Sequence, residues 1–252
     1  MTFEWDASTY DRVSDPQSRW GSGVLERLEL AGDERVLDAG CGSGRVTELL
    51  AERLPRGRVV ALDASQAMLD EARLHLSRFG ARIEYVRADL AAPLPVDGPV
   101  DAVFSTAVLH WVADHDGVFR NFAAVLRPGG QLVVQCGGTG NCASVIAVLR
   151  ETGDGWPGPW TFATPEETRR RLMAAGFEAV NAWLNPEPTA FETGAELETF
   201  LRTVVLGAHL ERLPDGERAP FVHAVASRLP EAILDYVRLN VVARRSGAAG
   251  GR

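Results

Sequence analysis

The segment Val36-Leu37-Asp38-Ala39-Gly40-Cys41-Gly42-Ser43-Gly44 constrains the fold of this chain more than any other. It starts as a short apolar run of strand type and ends in three glycines at alternate positions. The residues after it, Val46, Leu49, Leu50 and Leu54, fall on one helical face. Glycines between a strand and a helix let the backbone turn tightly and approach a ligand closely. The helix that follows offers N–H groups with no partner inside the helix. The spacing is Gly-x-Gly-x-Gly, not the Gly-x-Gly-x-x-Gly of dinucleotide binders. Asp38 precedes the loop at the strand's end; a carboxylate there would repel a pyrophosphate and suits a ligand carrying an ammonium or sulfonium. Asp63 closes the next strand, where an acid can accept hydrogen bonds from both ribose hydroxyls.

The strand–helix alternation continues. Arg35–Ala39, Arg58–Leu62, Arg82–Arg87, Val100–Ser105 and Gln131–Cys136 read as buried strands, and 46–54, 65–79 and 117–126 as helices. Ser65 is a natural N-cap. The run 91–99 holds three prolines and a glycine and reads as loop, and Arg127-Pro128-Gly129-Gly130 as the turn that stops a helix. Beyond Gly137 the pattern gives a helix over 143–151, a Gly/Pro/Trp loop over 153–160, and a helix opened by Thr164 and Pro165. A strand over 177–184, two or three helices in 195–235 with no strand between them, and a last strand over 236–244 follow. The expected fold is therefore α/β: a Rossmann-like, doubly wound, mostly parallel seven-stranded sheet with a helical insertion before the last strand, and ligands at the strands' C-terminal ends. The core should span 35–190 and 236–245, the insertion 191–235 should form a lid, 1–34 should form an N-terminal segment with a helix over 22–30, and 246–252 a disordered tail.

Net charge is −8, from 26 basic and 34 acidic residues. That balance argues against a nucleic-acid partner, which needs a basic face for the phosphates. Cys41, Cys136 and Cys142 are odd in number and lack metal-ligand spacing, so free thiols and no metal are expected. The first residues, Met1 to Asp6, are acidic and aromatic rather than signal-like, and no apolar run approaches the ~20 residues of a membrane span. A cytoplasmic protein without membrane contact is the expectation.

In these motifs the chain resembles the class I S-adenosylmethionine-dependent methyltransferases, over roughly residues 35–136. The resemblance implies S-adenosylmethionine as cofactor. It places the methionine part at Asp38, Gly40, Cys41 and Gly42 and the ribose at Asp63, with Ala64, Met68 and Ser105 nearby. Val86-Arg87-Ala88-Asp89-Leu90 is similar to the segment whose acid and next amide read the adenine amino edge, which points to Ala88, Asp89 and Leu90. Leu126 to Leu132 is similar to the family's structural turn before strand five. The stretch Val103 to Val112, Val-Phe-Ser-Thr-Ala-Val-Leu-His-Trp-Val, and the N-terminal Trp5-Asp6 and Tyr10-Asp11 resemble the trans-aconitate methyltransferase-like group, which includes natural-product enzymes. That group's N-terminal segment covers the cofactor. By this likeness Trp20 walls the cofactor and Tyr10 the substrate, though aromatic packing explains either equally well.

A sulfonium already activates the methyl group, so the protein has to align the acceptor and exclude water. A carboxylate acceptor needs no base; a hydroxyl, phenol or carbon acid does, and histidine is the usual choice. His110 follows strand four and is the candidate base or acceptor-orienting donor, with Trp111, Tyr236 and Tyr10 as substrate walls. Trp156, Trp160, Arg202, His209, Arg212 and Arg238 are also at hand; arginines can clamp an acid, but any single one more often solvates a helix face. His75 and His115 read as solvated, His209 and His223 as surface or lid packing. The expected activity is methyl transfer to a small-molecule acceptor, a carboxylate or a natural-product hydroxyl or carbon. The alternatives are a cofactor-binding scaffold without methyl transfer and an NAD-dependent oxidoreductase, against which the glycine spacing speaks.

Overall fold

A computed structural model describes residues 21–247, so Tyr10, Trp20 and most of the expected tail lie outside the described residues. The strands of the main sheet are β1 (Arg35–Ala39), β2 (Arg58–Asp63), β3 (Ile83–Arg87), β4 (Val100–Thr106), β5 (Leu126–Gly137), β6 (Phe177–Pro186) and β9 (Val237–Arg245). A separate two-stranded ladder pairs β7 (Thr189–Ala190) with β8 (Ile233–Leu234). The helices are α1 (Arg45–Glu52), α2 (Gln66–His75), α3 (His115–Val125), α4 (Ala143–Arg150), α5 (Pro165–Ala174), α6 (Gly194–Phe200), α7 (Gly207–Leu210) and α8 (Asp215–Ala226). The seven strands lie in the order β3-β2-β1-β4-β5-β9-β6. Pairings among β1 to β5 are parallel, and β9 runs antiparallel between β5 and β6. Strand order reverses between β1 and β4, the place where open α/β sheets bind ligands.

The sheet is covered on both faces, which is why β1 and β2 are buried in continuous runs rather than at alternate residues. Successive residues serve opposite layers. Leu37 and Ala39 pack with Phe119 and Phe122 of α3, while Val36 packs with Leu50 of α1 and Leu69 of α2. Each fully buried phenylalanine or leucine stabilises the fold by about 1.5–3 kcal/mol. Ser65 caps α2 as expected, accepting from the Met68 amide at 3.3 Å. Thr164 and Glu167 form a reciprocal capping box with Pro165 in the first turn of α5.

Several boundaries differ from the sequence reading. Helicity near the start covers 21–25 rather than 22–30. The α2 helix ends at His75, and a 3₁₀ segment, Ser77–Arg82, follows and breaks at Gly80. Arg127 to Gly130 are not a turn outside the sheet. Leu126 already pairs with Val100, and a register shift before Ala102 absorbs the segment into β5. The span 195–235 does contain a strand, β8. The insertion has no core of its own either. Its Leu197, Phe200 and Leu201 pack with Cys142, Val145 and Leu149, from the segment that follows β5. Polar ties join the two segments: the Ser144 hydroxyl and amide donate to the Asp235 carboxylate at 2.6 and 3.0 Å, and the Val237 amide donates to Asn141 Oδ1 at 3.0 Å.

Candidate functional site

A cavity of about 940 Å³ opens at the C-terminal ends of β1, β2 and β4. Cys142, Val204, Val205 and Tyr236 in its lining belong to a third core cluster, beside those on the two faces of the sheet, in which the insertion packs on the segment after β5. Ligand pockets run roughly 300–1,000 Å³, so this one is at the upper end and has room for two small molecules side by side.

The glycine loop builds one half. Gly40 has φ +84, and a Cβ there would lie 2.2 Å from Val108 Cγ2. Gly42, at φ +54, would meet nothing within 4 Å, because its surroundings are the open cavity. The Gly40 and Cys41 amides donate to the Leu62 carbonyl at 2.7 and 2.9 Å, which ties the loop to β2. Asp63 lines the cavity at the end of β2, accepting from the Gly42 amide through Oδ2 and from the Ser65 amide through Oδ1, both at 2.9 Å. Those bonds fix the carboxylate plane, and a carboxylate offers about four acceptor sites in all. Ala64, Met68, Ala88, Asp89 and Leu90 complete this wall.

Three expected cofactor residues stand one layer back, outside the cavity lining. Asp38 is buried, accepts from the Thr47 hydroxyl at 2.7 Å, and has its carboxyl pushed up to about 7 by burial, with Asp63 adding to the rise. Cys41 is buried with its thiol toward the Gly42 carbonyl, and burial holds that thiol well above its usual range. The Ser105 hydroxyl donates to the Ala39 carbonyl at 2.7 Å, which makes it a link between β4 and β1. The first half fits S-adenosylmethionine: an open backbone cradle at Gly42, a fixed carboxylate at ribose position, and a buried acid that gains from a nearby cation.

The second half begins with a strained turn. Ala107 has φ 58 and is held by its amide bond to the Gln135 carbonyl at 2.8 Å; Cys142, across the cavity, has φ 50. Such positions cost about 1–3 kcal/mol each and cluster at functional sites. The turn leads into a 3₁₀ segment, Leu109–Trp111, which places His110 and Trp111 on the cavity wall. The Gly137 amide donates to His110 Nδ1 at 3.3 Å. A backbone N–H can only donate, so the neutral ring carries its proton on Nε2. Burial pushes the His110 pKa well below the usual histidine value, with Arg238 and His115 pushing the same way. His115 was expected to be solvated and is instead buried, its Nε2 bonded to the Leu109 carbonyl at 2.8 Å, which steadies the segment that carries His110.

Arg238 corrects another expectation. It lies in the expected last strand but is not solvated: it is only 3% exposed and lines the cavity beside Tyr236, whose ring centroid is 6.0 Å from the guanidinium. An arginine flanked by Val237 and Leu239 in a largely buried strand was the available signal. Arg212 lines the mouth, bonded to Asp154 at 2.5 Å and stacked on Trp156 at 4.2 Å. Trp160, Phe162 and Asn141 also line this half; Phe162 and Asn141 carried no motif that would have pointed to them. His209 is buried among Trp156, Trp160 and Phe221, while His75 and His223 pair with Glu48 and Glu198 at 2.8 Å. Among the described residues no cluster could hold a metal ion, no helix is long and apolar enough to cross a membrane, and all three cysteines are free and buried.

Comparison with known proteins agrees with this geometry. The methyltransferase domain family matches residues 36–130, the stretch from β1 to the start of β5. A trans-aconitate 2-methyltransferase of Azoarcus sp. is 38% identical over 238 residues, which is 90% of each chain. Phosphoethanolamine N-methyltransferase 2 of Haemonchus contortus, solved with S-adenosyl-L-methionine, superposes with a TM-score of 0.65 at 18% identity, covering 96% of this chain and 56% of that one. The [4+2]-cyclase SpnF superposes at 0.61 with 24% identity, covering 92% and 81%, so the fold by itself does not decide the reaction. Fold and site define an enzyme of the methyl-transferring class. The chain belongs to the class I S-adenosylmethionine-dependent methyltransferases, in the group that holds the trans-aconitate 2-methyltransferases.

Proposed function

We propose that this enzyme methylates a carboxylate oxygen of a small acceptor, giving a methyl ester. The cofactor would occupy the half lined by Gly40, Gly42, Asp63 and Asp89, and the acceptor the half lined by His110, Trp111, Tyr236 and Arg238. The insertion 191–235 and the segment after β5 would act together as the lid. The observation that carries the reading is the Gly137 amide on His110 Nδ1. It makes Nε2 a donor, and together with the depressed pKa it leaves His110 unsuited to removing a proton. A histidine that donates, beside a buried guanidinium, suits an acceptor that arrives already ionised. The acid named for the sequence relatives is a carboxylic acid as well.

When bound, S-adenosylmethionine supplies a methyl group on a positively charged sulfur; the acceptor oxygen's lone pair forms the new bond while the carbon–sulfur pair goes to sulfur, and no proton moves. Arg238 would neutralise and orient the carboxylate, His110 would donate to one of its oxygens, and the third core cluster would keep water out. Asp63 would hold the ribose hydroxyls.

Two results test this. Asp63→Ala should weaken S-adenosylhomocysteine binding by roughly 1.5–3 kcal/mol in calorimetry, the worth of hydrogen bonds to a charged group. An unchanged affinity would remove Asp63 from the site. His110→Ala should raise KM for the acceptor more than it lowers kcat, and kcat of the parent enzyme should stay flat between about pH 6 and 8, because the depressed pKa keeps the ring neutral there. A kcat loss of about 10²–10⁴ with a matching pH limb would instead make His110 a general base and the acceptor a hydroxyl or carbon acid.

A further inference from the structure

The acceptor half of the cavity is walled by flat apolar faces. Trp160 and Phe162 are nearly parallel, with an interplanar angle of 12° and centroids 6.0 Å apart. Phe162 in turn stacks on His110 at 6.1 Å and 27°. Trp111 closes the other side, 5.9 Å from Trp160. All three aromatic side chains belong to half-buried residues rather than fully buried ones, although they face a single cavity. Large apolar rings left partly exposed around one concavity mark a surface that a ligand covers.

The charges on this half say what that ligand cannot be. Arg212, on the Trp156 side of the cavity, is engaged by Asp154 and Trp156. Glu211 and Asp114 also line the cavity and are anionic. A second or third carboxylate on the acceptor would face those acids, and like charges brought close together oppose binding. A flat apolar body instead meets complementary faces along its length.

Resting on the ester-forming reading above, we infer that the acceptor is a monocarboxylic acid with an aromatic body, its carboxylate toward Arg238 and His110 and its ring against Trp160, Phe162 and Trp111. Trp160 is then the residue that sets specificity, through the body of the acceptor and not through the reacting atoms.

The test uses the full chain, S-adenosylmethionine and a matched panel: cinnamate, phenylacetate and indole-3-acetate against hexanoate and trans-aconitate. The readouts are S-adenosylhomocysteine release and the methyl ester by mass spectrometry. The aryl acids are expected to exceed both the aliphatic acid and the tricarboxylate in kcat/KM by about 10-fold or more. Trp160→Ala should raise KM for the aryl acids about 10-fold more than for hexanoate. Trp160→Phe should recover most of that loss, and cofactor affinity measured by calorimetry verifies that each variant is folded. Esterification of trans-aconitate in preference to the aryl acids would overturn the aromatic body and leave the ester-forming reading standing. An equal KM rise for aryl and aliphatic acids in Trp160→Ala would overturn the role of Trp160 and the aromatic body with it. Release of S-adenosylhomocysteine with phenols or other hydroxyl acceptors, and with none of the acids, would overturn both readings.

Discussion

Replacing Arg238 by methionine should lower kcat/KM for the carboxylate acceptor by about 30- to 5,000-fold, the roughly 2–5 kcal/mol that truncating one partner of a buried charge pair costs. The size follows from burial. The guanidinium is almost wholly out of water, where an acceptor carboxylate losing its cation is left with no solvent to replace it. Methionine keeps a stem of similar length in the β5–β9 pairing, where Arg238 faces Gly137, so the loss reports on charge more than on packing. Lysine at 238 should fall between the two, because it restores the charge without the two-pronged donor geometry. Cofactor affinity should change little in either variant. Steady-state kinetics showing an unchanged kcat/KM in the methionine variant would take Arg238 out of the acceptor site.

Asp38→Asn should make the ligand-free protein more stable at pH 8, by on the order of 2–4 kcal/mol, while weakening cofactor binding. The carboxyl titrates near 7 in the folded chain because burial disfavours its charge; its ordinary value is 3.8. Between those two pH values the folded state binds a proton that the unfolded chain has released. The contribution of this group to stability is therefore fully present below about 4, declines as pH rises, and is lost above about 7. His110 and His209, whose pKa values are lowered by burial, act in the opposite sense and make stability rise with pH up to the usual histidine range. The difference between wild type and variant isolates Asp38. Denaturant unfolding at pH 5 and pH 8 should show the variant's advantage small at the lower pH and clearly larger at the higher one. A variant no more stable at pH 8 would mean that Thr47 already holds Asp38 ionised without cost.

The parts of this molecule that could be read from sequence are those where local chemistry and position coincide. The glycine loop, Asp63 and the strand alternation from 35 to 136 are each set by neighbours close in the chain. β1 was placed to the residue, and the Ser65 and Thr164 caps were placed correctly. Three other features depend on distant partners. The segment Arg127 to Gly130 has turn residues but is drawn into β5 by its pairing with β4. His115 has the polarity of a surface residue but is buried, with Arg171 of α5 against its Nδ1 at 3.4 Å. Arg238 could be assigned to the cavity only once β9 was known to run antiparallel beside β5. Ser105 holds a plausible position in a motif, while its hydroxyl donates to the Ala39 carbonyl, a partner that local sequence does not reveal. The positive φ at Ala107 and Cys142 left no trace in residue type at all.

The third core cluster has a consequence for how such enzymes could be re-engineered. Its two contributing stretches, one after β5 and one between β6 and β9, are packed into each other and tied through Ser144 and Asp235. The glycine loop, Asp63 and Asp89 belong to neither. A graft that exchanges both stretches as a unit would import a new acceptor chamber onto an unchanged cofactor half. A graft of 191–235 alone would set a foreign surface against the native Val145 and Leu149, and such a chimaera should express poorly although every residue of the cofactor half is intact.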